Sequence, residues 1–393
     1  MKKLRITAIN KMHIFAVMFL MSLVMSIQSP LFAPYAATLG ASSVLIGIML
    51  SSAQIANLSG NLIAGPLVDR YGKKLFITLP MFLAGILFIS HGLVADPTSL
   101  LLLRILNGFA LAFLIPAALA LLSSYAVDSR QQGKNMAIYG MLMTIASIVA
   151  PLIGGNLGAF LGYENTYYLI GAALLIVAFY TFGFVRDQKQ QTSHVRNSAS
   201  SNLTFRKVLA IPKVHIVLMT GFAVMYIHGV IIYEVPYLAV EQGYSTATTG
   251  VMLSLMASGT LISLSLFFMH RFDPVKRLMF GLFGMSMSLF AIFNEMWTLP
   301  VLLFSVGFFF GIVMPAMAIA VTDAVSKEGH GRAFGLMSSF YSLGMIVSSF
   351  VTGVIRDSVN PYFIAFLVGM VIFTLVGYKK MSIQQVQEQR VYR

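Results

Sequence analysis

Twelve apolar runs, nearly all long enough to cross a bilayer, leave this chain few folds to choose from. A spanning helix takes about 20 apolar residues, because only a structure that satisfies its own backbone survives where water is absent. Six runs occupy residues 12–36, 44–68, 75–94, 100–125, 135–160 and 167–185. Six more occupy 214–240, 248–270, 278–293, 298–324, 332–356 and 362–378. Of 393 residues only 10% are charged and 58% are hydrophobic, whereas a soluble domain carries roughly a quarter of its residues charged. The pattern predicts an all-α membrane protein with twelve transmembrane helices and no room for a separate soluble enzyme. The absence of cysteine excludes disulfides and thiolate metal sites. The basic start, MKKLRITAINK, runs into a full-length span without a small-residue cleavage site, so it reads as a tail and not a removed signal.

A net charge of +13 would suit a nucleic-acid binder, but the charges follow the membrane instead. With a cytoplasmic N-terminus, Lys2, Lys3, Arg5, Lys11, Arg70, Lys73, Lys74, Arg130, Lys134, Lys327 and Arg332 all fall inside. So do the central-loop cations, Arg271, Lys276, Arg277 and those of the C-terminal tail. The outer loops carry Asp96, Glu164, Glu241 and Glu295, with Arg356 the single cation outside and Arg104 the single one deep in a span. This asymmetry is the positive-inside rule, and it predicts both termini in the cytoplasm.

A polar, basic stretch over residues 186–213 divides the chain into halves at 1–185 and 214–379, followed by a tail at 380–393. The halves read as diverged copies. NGFALAFLIPA at 107–117 aligns with VGFFFGIVMPA at 306–316, and GKNMAIYG at 133–140 lies near GHGRAFG at 329–335. The segment GPLVDRYGKK, 65–74, has a worn counterpart in HRFDPVKR, 270–277. Arg104 has none, since Leu303 stands in its place, so any function of Arg104 is asymmetric between the halves.

The motifs add a family. GPLVDRYGKK combines glycines that allow a sharp turn with cations that hold it at the membrane face. It resembles the signature of the loop between helices 2 and 3 in the major facilitator superfamily of secondary transporters. RILNGFA, 104–110, resembles the fourth-helix motif of that superfamily's proton-coupled exporters, with Asn107 where glutamine is usual. ASIVAPLIGG, 146–155, resembles the fifth-helix motif of its antiporters, G-x-x-x-G-P-x-x-G-G, with alanine for both early glycines. Here Ala150, Pro151, Gly154 and Gly155 would kink the helix and let backbones approach. The resemblance implies the major facilitator fold, two pseudo-symmetric six-helix bundles, and proton-driven export of a small amphipathic molecule, drug-like or metabolite, through the plasma membrane. It further implies a monomer that needs no cofactor and has lipid, protons and cargo as partners. A dedicated exporter of a sugar, amino-acid derivative or metal chelator is the alternative on the same fold.

Ionised groups in a bilayer are costly, so they mark function or a partner. Arg104 and Glu234 are the two candidates for proton coupling. Carboxyl groups taken out of water hold protons more tightly, which suits Glu234 as carrier with Arg104 as tuner. Gln28, Asn107, His228, Tyr233 and Tyr237 are candidate cavity residues. The first span holds no acid, only Gln28, which argues against a site for cationic drugs. By resemblance, Gly65, Asp69, Arg70, Gly72 and Lys73 form a conformational gate. Asp69 would cap the eleventh span near Gly331, Asp128 would pair with Arg70, and Asp323 would serve as a further gate residue. The remote alternatives are a non-transporting sensor, which would usually carry a soluble output domain, and a lipid-acting enzyme, which would need a nucleophile with its base, or a cluster of metal ligands. The seven histidines are scattered and no such cluster occurs.

Overall fold

The computed structural model describes residues 2–126, 129–187, 205–266, 269, 271–326 and 329–391. Its regular structure is entirely helical: α1 (Lys2–Ile27), α2 (Phe32–Thr38), α3 (Ser43–Tyr71), α4 (Lys73–His91), α5 (Pro97–Leu111), α6 (Leu114–Ser124), α7 (Ser129–Leu161) and α8 (Tyr163–Phe184) come first. After them come α9 (Phe205–Leu209), α10 (Pro212–Glu241), α11 (Thr246–Leu264), α12 (Pro274–Phe293), α13 (Leu299–Ala324), α14 (His330–Ile355) and α15 (Pro361–Val391). Among the described residues, 12 stretches are long and apolar enough to cross a membrane, as the sequence predicts.

Two of those stretches are broken helices. Pro30 has no N–H to continue the ladder, so α1 stops at Ile27 and the chain turns through Ser29 N–H on Ser26 and Leu31 N–H on Gln28 before α2 begins. In the fourth span Pro116 leaves the Ala112 carbonyl without its i+4 donor, and the chain breaks at Ala112–Phe113 between α5 and α6. Irregular backbone at membrane depth is tolerated only where protein or a cavity supplies partners. Both breaks therefore direct attention to what lies beside them.

The chain folds as two compact units: Met1–Ser193 with Val235–Ser254, and His194–Glu234 with Leu255–Arg393. In the first, α7 lies against the end of α1 at a distance that only glycine allows. A Cβ on Gly154 would sit 1.9 Å from the Ile27 carbonyl oxygen, and one on Gly155 2.3 Å from that of Thr246. Thr246 Oγ1 also donates to the Gly155 carbonyl, 2.8 Å away, and Ser254 Oγ to that of Ile148, 2.6 Å away. In both units an apolar core is joined by a surface rich in large apolar side chains, and a few polar groups are buried. Phe160, Ile176, Phe179 and Phe182 are exposed, while His91, Asn107, Glu234 and Arg277 are buried. Such surfaces suit lipid and not water.

Candidate functional site

In the first unit the polar centre forms where the break in the first span meets α5. Alternate spans run in opposite directions, so the ends of α1 and α4 lie beside the beginnings of α5 and α8. Arg104 Nη1 donates to Gln28 Oε1 over 2.5 Å, and Gln28 Nε2 donates to the Met25 carbonyl at 3.2 Å. The Arg104 guanidinium lies 3.9 Å from the centre of the Phe32 ring, a cation–π contact. One turn further along α2, Tyr35 donates its hydroxyl to the His91 carbonyl, 2.6 Å away. Tyr35 also packs its ring against Tyr167, with centroids 5.2 Å apart. The His91 ring stacks on Tyr167 at 5.3 Å, and its Nδ1 donates to the Leu87 carbonyl at 2.7 Å. The cluster thus draws on the first, third, fourth and sixth spans.

Its hydrogen bonding is incomplete. Arg104 Nε, both amide atoms of Asn107, the Tyr167 hydroxyl and His91 Nε2 are buried without a hydrogen-bond partner among the described residues. His91 and Tyr167 are 0% exposed and Asn107 is 1% exposed, so these atoms are also cut off from solvent. No carboxylate among the described residues forms an ion pair with Arg104.

In the second unit Glu234 of α10 is held by Arg356, which ends α14. Arg356 Nε donates to Glu234 Oε1 at 3.1 Å and Nη2 donates to Oε2 at 3.2 Å, a two-pronged pairing. The two side chains are 5% and 4% exposed. Arg356 is thus a cation in contact with Glu234. Sequence reasoning read Arg356 as an outer-loop charge, although its being the single cation to break the inside pattern was a signal. His228 stacks on Phe310 with centroids 5.2 Å apart, as a packed ring does. Tyr233 is fully buried and Tyr237 partly so.

The predicted gate is described only in part. Gly65 and Arg70 are exposed, Arg70 lies over the Tyr71 ring at 5.2 Å, and Lys73 is buried. Gly72 joins α3 to α4 at φ +102°, a conformation that glycine adopts without strain. The Asp69 side chain and Asp128 lie outside the described residues. What holds this loop is a residue that sequence reasoning assigned to the linker: Asp187 accepts from the Lys74 backbone N–H at 3.1 and 3.3 Å, capping α4. Lys74 Nζ donates to the Phe182 carbonyl, 2.6 Å away. Asp323 is exposed and lines a cavity of about 220 Å³ with Lys213, Asp273 and Lys380. In the fifth span Ala150, Pro151, Gly154 and Gly155 are all buried.

Known proteins agree with the architecture. The family model described as Major Facilitator Superfamily matches residues 14–293 and 267–381. An uncharacterized MFS-type transporter of Methanocaldococcus jannaschii is 25% identical over 339 residues, covering 84% of this chain and 86% of that one. The quinolone resistance protein NorA of Staphylococcus aureus is 22% identical over 351 residues, covering 86% and 88%. A crystal structure of a bacterial homolog of the human lysosomal transporter Spinster, inward-facing and occupied, superposes with a TM-score of 0.73 at 16% identity, covering 95% and 96%. A mutant of the nucleoside transporter NupG gives 0.76 at 15% identity, covering 96% and 99%. A broken-helix, twelve-span chain of this kind is a membrane transporter. It belongs to the Major Facilitator Superfamily.

Proposed function

We propose that this transporter exports a small amphipathic molecule from the cytoplasm across the plasma membrane, driven by protons that enter through Glu234. Both termini lie in the cytoplasm, and bundles 1–185 and 214–379 of a monomer expose the cargo alternately to either side. The observation that carries the reading is the buried pair of Glu234 and Arg356. A carboxylate held by a guanidinium at membrane depth has two discrete conditions: ionised and paired, or protonated and released. Protonation releases Glu234 from the pairing and leaves Arg356 its longer contact with the exposed carboxylate of Asp357, 3.7 Å away, so the α10–α14 contact loosens, and this links proton occupancy to a helix rearrangement. In this scheme Arg356, and not Arg104, tunes the proton carrier. Likeness to a protein named for quinolone resistance supports export over uptake.

Proteoliposomes with an imposed pH gradient test this. Gradient-driven transport is expected from the wild type and absent from Glu234→Gln, while cargo exchange without a gradient survives. Undiminished gradient-driven transport by Glu234→Gln sinks the proposal.

A dedicated exporter on the same fold is favoured by one observation: Gln28, not an acid, stands at the break in the first span and meets Arg104. Such a site has nothing to attract lipophilic cations. Expression that leaves resistance to lipophilic cations unchanged is the expected result for that reading.

A further inference from the structure

We infer that the cluster of Gln28, Arg104, Asn107 and Tyr167 is a subsite for an anionic head group, so that the cargo is an amphipath bearing a carboxylate or similarly compact anion. The inference rests on the export reading and adds to it the chemical class of the cargo. It stands on two independent features of the first unit. Arg104 is a cation at membrane depth whose hydrogen bond among the described residues is to an amide oxygen and whose ring contact is Phe32. Such a charge faces a cavity or a partner, because leaving it alone is costly. The second feature is the excess of unused donors around it: Arg104 Nε, Asn107 Nδ2 and the Tyr167 hydroxyl. Buried donors without acceptors are rare in native proteins and ask for an explanation. An anion supplies both the missing charge and the missing acceptors.

The surroundings fit an amphipath. Phe32, Tyr35 and Tyr167 form an aromatic wall beside the guanidinium, with Tyr163 a further 5.7 Å from Tyr35. Phe32, Tyr35 and Tyr167 are themselves closed to solvent, so an amphipath would bring its anion in from the side on which Arg104 remains partly open. A guanidinium fork pairs with a planar carboxylate better than with a rounder anion. The remaining orphans, Asn107 Oδ1 and His91 Nε2, accept hydrogen bonds and suit a hydroxyl or N–H carried next to the acid. Asp96 and Glu164, acids in the loop before α5 and the first turn of α8, are both exposed. Neither supplies the counter-charge.

The test is binding, not transport, on the purified protein in uncharged detergent. Two acids with matched amides serve as probes: 2-naphthoate against 2-naphthamide, and 4-phenylbutyrate against 4-phenylbutyramide. Thermal stabilisation by ligand follows mass action and reports the dissociation constant. At least a tenfold preference for acid over amide is expected in the wild type, reduced in Arg104→Lys and abolished in Arg104→Gln. Gln28→Glu provides a second variant that keeps the arginine: its carboxylate occupies Arg104 in place of the ligand, so the preference should vanish there too. The inference is overturned if neither acid is preferred over its amide, or if the preference survives in Gln28→Glu. A wild type that prefers the acids but shows no proton-driven transport leaves the subsite standing and removes the export reading. Proton-driven transport without any preference for acids does the reverse.

Discussion

Glu234 and Arg356, 122 residues apart in the chain, meet through two parallel hydrogen bonds of 3.1 and 3.2 Å, with both side chains nearly closed to solvent. Removing one partner of such a pair leaves the other charged and stranded, a change that costs about 3–5 kcal/mol in buried settings. Arg356→Gln should therefore lower the thermal midpoint more than Arg356→Gln with Glu234→Gln together. A double-mutant cycle by thermal unfolding in detergent should give a coupling above about 1 kcal/mol. Strictly additive effects would mean that the pair is not formed.

Gly154 makes a separate prediction. A methyl group there would lie 1.9 Å from the Ile27 carbonyl oxygen, so α7 must move off the end of α1 or fail to pack. Gly154→Ala should lose about 1–3 kcal/mol of stability, as overpacking does. It should also lower transport by displacing the turn that presents Gln28. Gly140→Ala, on the same helix with nothing within 4 Å, is the control and should be close to silent.

The α3–α4 junction can be probed from two sides. Asp187→Ala removes the acceptor for the Lys74 amide and should cost about 1 kcal/mol, the usual value of a helix cap. Gly72→Ala should cost about 1–3 kcal/mol, because φ of +102° strains a residue with a Cβ. That Cβ would also lie 2.8 Å from an Asp187 carboxylate oxygen. Hydrogen exchange at the Lys74 amide is the direct readout. Unchanged protection in Asp187→Ala would show that the cap is not formed.

Asp96 caps α5 through the Ser99 amide at 2.9 Å and the Ser99 hydroxyl at 2.6 Å. These bonds hold its carboxyl below the usual carboxylate range. A depressed folded-state value means that the stabilisation is full above the unfolded value of about 3.9 and is lost as pH falls through the folded one. Wild type and Asp96→Ala should therefore differ in thermal midpoint at pH 7 and converge in strong acid. A constant difference down to acid would assign the effect to packing.

The twelve spans were legible because lipid enforces a length and a composition that a sequence displays directly. Arg104 and Glu234 stood out in the sequence for the same reason: charge is rare inside a bilayer. Their partners did not. Gln28 and Arg356 become partners only through packing between helices, and Arg356 lies 122 residues from the acid it holds. Asp187 looked like one polar residue in a polar linker, although its distance in space from Lys74 is a single hydrogen bond. His91 and Tyr167 carry no periodic or motif signal. Burial alone makes their unused atoms conspicuous.

Arg356 and Arg104 would respond differently to the cell's electrical state. Arg356 and Glu234 together are neutral, so shifting them through the membrane field involves little work. Arg104 has the Gln28 amide and the Phe32 ring beside it and no carboxylate paired with it among the described residues, so it carries its charge wherever its helix goes. One charge moved across the whole of a 100 mV potential is worth about 2.3 kcal/mol, so any motion of α5 along the membrane normal draws on voltage as well as on pH. Cargo that neutralises Arg104 would switch that voltage sensitivity off, so loaded and empty carriers would return at different rates in an energised cell.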